Sequence, residues 1–163
     1  IATNWQSFHQ YQEDNAILFQ RKKFIESDFI NKFSLDNKNS GAIFSFIGKV
    51  RPKNQNNNVL SIDIELYEKM AQVQIKKIIN KLMKKYLIDD CLVIHRYGRV
   101  KPRENIVLIV VASQHRKESF RLGEELMDWL KVKATFWKKE NFANGSEWVK
   151  QKETDREFID FSL

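Results

Sequence analysis

The chain has 163 residues, 42% of them hydrophobic and 12% aromatic, which is enough to form the core of one domain. Its 28 Lys and Arg residues exceed its 21 Asp and Glu residues, giving a formal net charge of +7. This excess favours an anionic partner, such as nucleic acid, a phosphorylated metabolite or an acidic protein. The single cysteine excludes an internal disulfide, and the three histidines lack the spacing of a zinc site.

Targeting signals are also missing from the sequence pattern. No apolar run reaches the roughly 18 residues that a membrane span needs, and the first residues do not resemble a signal peptide. We therefore expect a cytoplasmic protein. We expect residues 1–163 to form a single domain, with the polar segments 1–16 and 154–163 as extensions.

Hydrophobic periodicity defines the predicted elements. In chain order they are a strand over 17–24, a helix over 27–35, strands over 42–47 and 60–66, a helix over 70–86, strands over 91–95 and 106–112, a helix from about 114 to 131, and strands over 136–138 and 147–149. The last two are joined through Asn144-Gly145, a strong hairpin signal. Residues 52–58 are predicted to form a polar, mobile loop.

In two elements, the pattern of apolar and polar residues indicates which face is buried. Residues 60, 62, 64 and 66 are apolar and alternate with polar ones, which predicts one buried and one solvated strand face. Met70, Val73 and later apolar residues up to Tyr86 recur with a helical period, opposite a lysine-rich face. Together the elements predict an α+β fold, with two main helices packed on a mostly antiparallel or mixed sheet and a C-terminal β-hairpin.

Four segments could carry chemistry. Ser113 to Lys117 joins a buried strand to a helix, where exposed amides and basic side chains favour an anion. Lys131 lies one helical turn after Met127 and is either a snorkelling surface residue or a desolvated amine. The strand from Phe136 to Glu140 alternates aromatic and basic residues, which would place Lys138 on the same side as Phe136. Polar residues also follow the apolar strand at Gly48-Lys49-Val50-Arg51.

Two further residues are interpreted as parts of the core. Cys91 begins a predicted buried strand and has no activating neighbour in sequence, so packing is favoured over a nucleophilic role. His95, in the middle of the same strand, is interpreted as a hydrogen-bonded core histidine rather than a metal ligand.

Taken in order, these segments resemble the large, catalytic subunit of molybdopterin synthase. The resemblance covers about Gly41 to Val149, roughly two-thirds of the chain. The motifs that carry it are Phe46-Ile47-Gly48-Lys49-Val50-Arg51, Val93-Ile94-His95-Arg96 with Gly98, Ser113-Gln114-His115-Arg116, Met127-Asp128-Trp129-Leu130-Lys131, and Phe136-Trp137-Lys138-Lys139-Glu140 with Trp148-Val149.

The resemblance implies an α/β hammerhead fold and a role for each matching residue. It implies that Lys131 and Lys138 are the catalytic lysines and that Phe46 and Met127 line the pocket. The implied substrate-binding residues are Lys49, Val50, Arg51, His115, Arg116, Lys131, Lys138, Lys139 and Glu140. On this interpretation the last long helix spans the pocket, with phosphate bound at its start and an amine presented at its end.

The resemblance also implies a reaction and its partners. A small ubiquitin-like subunit would insert its C-terminal Gly-Gly thiocarboxylate into the pocket and transfer sulfur to cyclic pyranopterin monophosphate. Two large subunits would form a homodimer at the centre of a heterotetramer, with no metal or organic cofactor.

The chain departs from the family pattern at three places. Leu66-Tyr67-Glu68-Lys69-Met70 replaces His-Tyr-Pro-Gly-Met, and Lys133-Ala134-Thr135 replaces Arg-Ala-Pro. Lys152 stands where the family can place an arginine that reaches the other protomer's site, and a lysine cannot reproduce a bidentate phosphate contact. The alternative to the synthase is a non-catalytic, basic RNA-binding α+β module, suggested by the net charge and the aromatic-basic strand.

Overall fold

The computed structural model describes residues 17–132 and 136–149; the predicted extensions at 1–16 and 154–163, and Lys152, lie outside them. Its elements are β1 (Ile17–Gln20), α1 (Glu26–Asp36), β2 (Ala42–Lys49), β3 (Lys53–Asn54), β4 (Asn57–Asn58), β5 (Ser61–Leu66), α2 (Glu68–Tyr86), β6 (Ile88–Arg96), β7 (Gly98–Val100), β8 (Asn105–Ser113), α3 (Arg116–Val132), β9 (Phe136–Phe142) and β10 (Gly145–Trp148). None of the helices in this described part is long and apolar enough to cross a membrane.

The strands form two four-stranded sheets and one two-stranded ladder. The main sheet has the order β1-β6-β8-β2, and the smaller one has the order β10-β9-β5-β7. β1 pairs with β6 in parallel, whereas every other described pairing is antiparallel. The predicted α+β class with a mostly antiparallel, mixed sheet is confirmed.

The main sheet is covered on both faces, which explains why β6 and β8 are almost continuously apolar. On one face, α1 buries Phe29 and Phe33 against alternate residues of β6 and β8, such as Leu92 and Leu108. On the other face, α2 and α3 pack over the intervening residues, which include Val93, Val107, Ile109 and Val111. Cys91 is fully buried in this second layer, so its predicted role in packing is confirmed.

The smaller sheet has its own core at the end of β2. Val50 and Val59, which flank the β3–β4 hairpin, pack there with Ile62, Ile64 and two further residues, Val100 and Ile106. Phe136, the first residue of β9, contacts both this cluster and the one beneath α3. The position of β9 therefore links the two sheets.

Several apolar residues predicted to be buried are exposed. Leu60 precedes β5 instead of belonging to it, and Met70 and Val73 face solvent on the first turns of α2. Each fits the local period of its element, but each lies where no other described layer covers that element. Hydrophobic periodicity predicts which residues share a face of an element. Tertiary packing decides how much of that face is covered by other elements.

Two turns also differ from the prediction. The β9–β10 turn is formed by residues 143–144, one residue earlier than predicted, and Gly145 opens β10 with φ 139°. Residues 52–58, predicted to be a mobile loop, form the β3–β4 hairpin, in which Gln55 has φ 53°.

Candidate active site

Lys131 and Lys138 are brought together by the end of α3 and the start of β9. Lys131 lies in the last turn of α3 and is exposed, whereas Lys138 is partly buried. Burial and the positive charge of Lys131 lower the pKa of Lys138. The desolvated amine that the sequence suggested for Lys131 is therefore found at Lys138.

His95 lies beside this lysine pair, a position that the sequence did not reveal. Its ring stacks on Phe136, with centroids 4.0 Å apart and planes 14° apart. Phe136 and Lys138 are two residues apart on β9 and thus share a face of the strand, as predicted. Nδ1 of His95 lies 2.7 Å from the carbonyl oxygen of Arg96, which can only accept a hydrogen bond, so Nδ1 donates.

The His95 imidazole is neutral. Burial and the charge of Lys138 lower its pKa to about 3. With Nδ1 carrying the proton, Nε2 has a free lone pair. The interpretation of His95 as a hydrogen-bonded core residue is confirmed, and the structure adds that it contacts the strand that carries Lys138.

Phe46 lies on β2, and Met127 lies on α3, the helix that ends with Lys131. Phe46 is 39% exposed on β2, and its ring lies against Gly48: a Cβ at Gly48 would be 3.5 Å from Cε1 of Phe46 and only 2.6 Å from Cγ1 of Val107. Met127, one turn before Lys131, is partly buried against the core beneath α3. Both residues lie on the α3 side of the main sheet, as lining of the predicted pocket requires.

At the end of β2, the residues Lys49, Val50 and Arg51 have different surroundings and do not form one cluster. Lys49 follows Gly48 on the opposite strand face, and it borders a cavity of about 240 Å³ with Phe24, Glu26 and Arg96 on the α1 side. Val50 is 1% exposed, and its N–H and C=O are paired with Glu104 and Arg103. Both backbone groups of Val50 are thus already hydrogen-bonded within the protein, and its substrate contact stays a prediction. Arg51 is exposed and remains available.

His115 and Arg116 form the predicted basic cluster at the start of α3. They border an open cavity of about 680 Å³ together with Gln114, Lys117 and Arg121. Their backbone is fixed from within, because Ser113 Oγ donates to His115 O at 2.7 Å and Ser119 Oγ donates to Arg116 O at 2.9 Å. An anion there would meet basic side chains and the free amides of a first helical turn.

The structure separates this cluster from the lysine pair. Arg116 and Lys131 are the first and the next-to-last residues of α3, so about 22 Å of helix axis lies between them. The β2–β8 register places Ala42 beside Ser113, whereas Lys49 lies beside Asn105 at the other end. A small molecule cannot cover that distance, so the described residues of one chain do not bring the two ends of α3 into one pocket, and the pocket that spans α3 stays a prediction.

Lys139 and Glu140 also have different surroundings. Nζ of Lys139 lies 5.5 Å from the ring centroid of Trp148, on the opposite strand face from Lys138. Glu140 is only 8% exposed, and its Oε2 accepts a hydrogen bond from Asn54 Nδ2 at 2.6 Å. Asn54 was missed by the sequence analysis, because nothing in the local pattern distinguishes it from the neighbouring asparagines.

The chemistry available at the lysine pair is proton transfer and charge stabilisation. Because its pKa is lowered, the partly buried amine of Lys138 releases its proton more readily than an ordinary lysine does, and the charge of Lys131 can neutralise an anion bound beside it. Cys91 does not provide a nucleophile, because burial raises the pKa of its thiol and it has no access to the surface. The fold and the lysine pair define an α+β protein with a candidate site for acid–base chemistry.

Comparison with known proteins identifies the family. The chain belongs to the MoaE protein family, whose model matches residues 19–133. A molybdopterin synthase catalytic subunit from Ralstonia nicotianae is 44% identical over 115 residues, which cover 71% of this chain and 65% of that protein. Relatives of this kind give no support to the RNA-binding alternative.

Solved structures agree with this assignment. A molybdopterin biosynthesis MoaE protein from Burkholderia ambifaria superposes with a TM-score of 0.72 at 30% identity, over 86% of this chain and 92% of that one. A complex of subunits 1 and 2 of molybdopterin-converting factor from Helicobacter pylori has the same fold, with a TM-score of 0.71 at 22% identity over 83% and 91% of the two chains.

Proposed function

We propose that this chain is a sulfurtransferase that forms the dithiolene of molybdopterin from cyclic pyranopterin monophosphate. The observation that carries the proposal is the lysine pair: Lys138 is partly buried beside a neutral histidine, and the charge of Lys131 lowers its pKa. Membership of the MoaE family supports the choice of reaction.

In this reaction the nucleophile comes from a second protein. A small ubiquitin-like subunit inserts its C-terminal Gly-Gly thiocarboxylate beside Lys138, and the sulfur attacks the pterin side-chain carbons. The cyclic phosphate opens, water cleaves the acyl–sulfur bond so that each donor leaves as a carboxylate, and two donors are used in turn. The Helicobacter pylori complex of two subunits supports such a partner. A donor of this kind explains why the buried thiol of Cys91 is not needed.

The residues of this chain bind the substrate, neutralise charge and move protons. Lys138 and Lys131 exchange protons with the reacting groups, while Phe46 and Met127 line the pterin pocket. Arg51, His115 and Arg116 bind the phosphate and neighbouring polar groups, and Lys152 contributes from the partner protomer. The proposal requires no metal or organic cofactor, and a reducing, cytoplasmic setting fits the free thiol.

The free edge of β2 supports the proposed homodimer. Within the described residues, β2 is the last strand of the main sheet, and it exposes Ile43, Ser45 and Phe46 along an eight-residue edge. Long apolar edges tend to associate unless something covers them. We therefore propose that two copies pair β2 with β2 in antiparallel fashion about a two-fold axis.

Such pairing would bring the separated halves of the site together. Antiparallel strands would place the Ala42 end of one β2 beside the Lys49 end of the other. His115 and Arg116 of one protomer would then face Arg51, Lys131 and Lys138 of its partner. The 22 Å separation within one chain is thereby bridged by symmetry, and each dimer contains two complete sites.

The test is single-turnover conversion of cyclic pyranopterin monophosphate with thiocarboxylated small subunit. Lys131→Ala and Lys138→Ala should each slow the reaction by about a hundredfold or more, the usual contribution of a positioned acid or base. Both variants should still fold and bind the small subunit. Near-normal rates in both would remove the lysine pair from the chemistry, and absence of turnover by the unmodified protein would refute the proposed function.

A further inference from the structure

The β3–β4 hairpin depends on contacts outside its own ladder. Each of its strands has two residues, and so short a ladder is not stable alone. The hairpin is closed at its base by a hydrogen bond from Val59 N to Pro52 O, 2.9 Å long, and Val50 and Val59 are buried on either side. Beyond this base, its position depends on Asn54.

Asn54 joins the hairpin to the strand that carries Lys138. Its Nδ2 donates to Glu140 Oε2 at 2.6 Å, between residues 86 positions apart. Glu140 is almost fully buried and shares a face of β9 with Lys138. Because a buried carboxylate without a donor is costly, this contact stabilises both partners.

Along the chain, Arg51 lies between buried Val50 and Asn54, which is hydrogen-bonded to Glu140. Val50, directly before it, packs on Ile62 and Ile64, which are the register partners of Glu140 and Lys138 on β9. Asn54 follows three residues later. The segment carrying Arg51 is therefore fixed at both ends, once to β5 through the core and once to β9 through the Asn54–Glu140 hydrogen bond.

We propose that Glu140 is a positioning residue, which holds Arg51 at the site through Asn54 and does not itself contact the pterin. The proposal rests on the proposed function and replaces the direct substrate contact that family resemblance implies for Glu140. A carboxylate oxygen of Glu140 accepts the hydrogen bond from the Asn54 amide. The site therefore requires this acceptor and not the negative charge of Glu140.

The experiment compares Glu140→Ala, Glu140→Gln, Asn54→Ala and the Asn54→Ala/Glu140→Ala double variant. Calorimetry measures binding of cyclic pyranopterin monophosphate to the complex with unactivated small subunit, so that no turnover occurs. Glu140→Ala and Asn54→Ala should weaken binding by a similar factor, about tenfold, the loss expected when one charge-assisted contact, from Arg51 to the phosphate, is no longer held in place. The double variant should be no worse than either single one, because both remove the same contact.

Two variants serve as controls. Glu140→Gln keeps an oxygen acceptor for Asn54 and should bind nearly as well as the unmodified protein. Asn57→Ala alters the exposed register partner of Asn54 on β4 and should change nothing. If Glu140→Gln is as defective as Glu140→Ala while Asn54→Ala binds normally, the charge of Glu140 acts directly and the proposal is overturned.

Hydrogen exchange of the amides in residues 53–59 supplies a readout independent of the pterin. Exchange should become faster in Glu140→Ala and Asn54→Ala but not in Glu140→Gln or Asn57→Ala. Unchanged exchange in the first two would overturn the positioning role even if binding is impaired. If the variants show the expected exchange differences but the unmodified protein does not bind cyclic pyranopterin monophosphate, the proposed function is refuted instead.

Discussion

At the scale of single residues, His95 shows how burial determines protonation. The imidazole is enclosed between β6 and Phe136, donates through Nδ1 to Arg96 O, and has a pKa of about 3. Protonation would add a third positive charge near Lys138 and Lys131 in a space that cannot hydrate it. A neutral histidine can instead pack tightly against the lysine strand.

His95 should make the protein sensitive to mild acid. Its pKa is about 3 in the folded state and about 6.5 when unfolded. Below pH 6.5 the unfolded state therefore binds a proton that the folded state excludes. The stability present above pH 6.5 is lost as the pH falls towards 3, by up to about 1.4 kcal/mol per pH unit. Urea unfolding at pH 7, 6 and 5 measures this slope.

The comparison uses His95→Leu, which should be less stable at pH 7 but have a flatter slope between pH 6 and 5. Leu92→Ala is the matched control: Leu92 is buried on the same strand but faces α1, so its loss should lower stability at every pH and leave the slope unchanged. Asp63 and Glu104, each with a pKa near 2, affect stability mainly below pH 4.5. Equal slopes in unmodified protein and His95→Leu would refute the prediction.

At the scale of elements, α3 does two separate jobs. His115 and Arg116 lie at its start, and Lys131 lies in its last turn beside β9. Close packing of its middle fixes the direction in which both ends point: Gly123 is so near Phe44 that a Cβ there would lie 2.3 Å from Cε1 of the ring. Because the middle of α3 is packed closely against β2, the positions of both ends of α3 depend on the position of β2.

Lys131 should influence the reaction through the protonation of Lys138 as well as directly. Its charge lowers the pKa of Lys138, so Lys131→Ala should raise that pKa. If neutral Lys138 is the active form, the midpoint of the single-turnover pH–rate profile moves to higher pH. Lys131→Arg keeps the charge and should keep the midpoint, but it should restore little of the rate because a guanidinium does not release its proton.

If the pH–rate profiles of the unmodified protein, Lys131→Ala and Lys131→Arg have the same midpoint, Lys131 does not change the pKa of Lys138. Full recovery of rate in Lys131→Arg would show that only the charge of Lys131 matters, and Lys131 would then have no proton-transfer role. Lys138→Ala serves as the reference, because its residual rate should have lost this pH dependence.

At the scale of the whole molecule, the distance between the two basic groups predicts shared active sites. Arg116→Ala and Lys131→Ala homodimers should both be nearly inactive. When the two variants are refolded together, half of the dimers are mixed, and in each of these one site carries neither substitution. The mixture should therefore regain about a quarter of the unmodified activity.

No recovery in mixed dimers would mean that both groups act within one chain or that the protomers do not exchange. Ile43→Lys tests the edge directly: a charge on β2 should shift the protein towards monomers in sedimentation experiments. Leu35→Lys adds the same charge at an exposed leucine of α1, outside β2; it is the matched control and should leave the dimer intact. An unchanged dimer in Ile43→Lys would place the interface elsewhere.

The sequence alone determined the elements and the chemical candidates. Strand alternation at 62–66, the helical period of α2 and the continuous apolar run of β8 follow from the geometry of the backbone repeat, which is local. The same holds for the lysines at 131 and 138 and for Cys91 as a core residue. Five motifs in order were enough to indicate the family that the comparisons confirm.

Only the tertiary structure decided which of these residues meet. The contact of His95 with Phe136, the hydrogen bond between Asn54 and Glu140, and the burial of Val50 join segments that are distant in sequence. Within the described residues, the position of β2 at the edge of the main sheet leaves one side of this partly apolar strand unpaired. Local periodicity carries no information on strand order or register, because those depend on the packing of the whole chain.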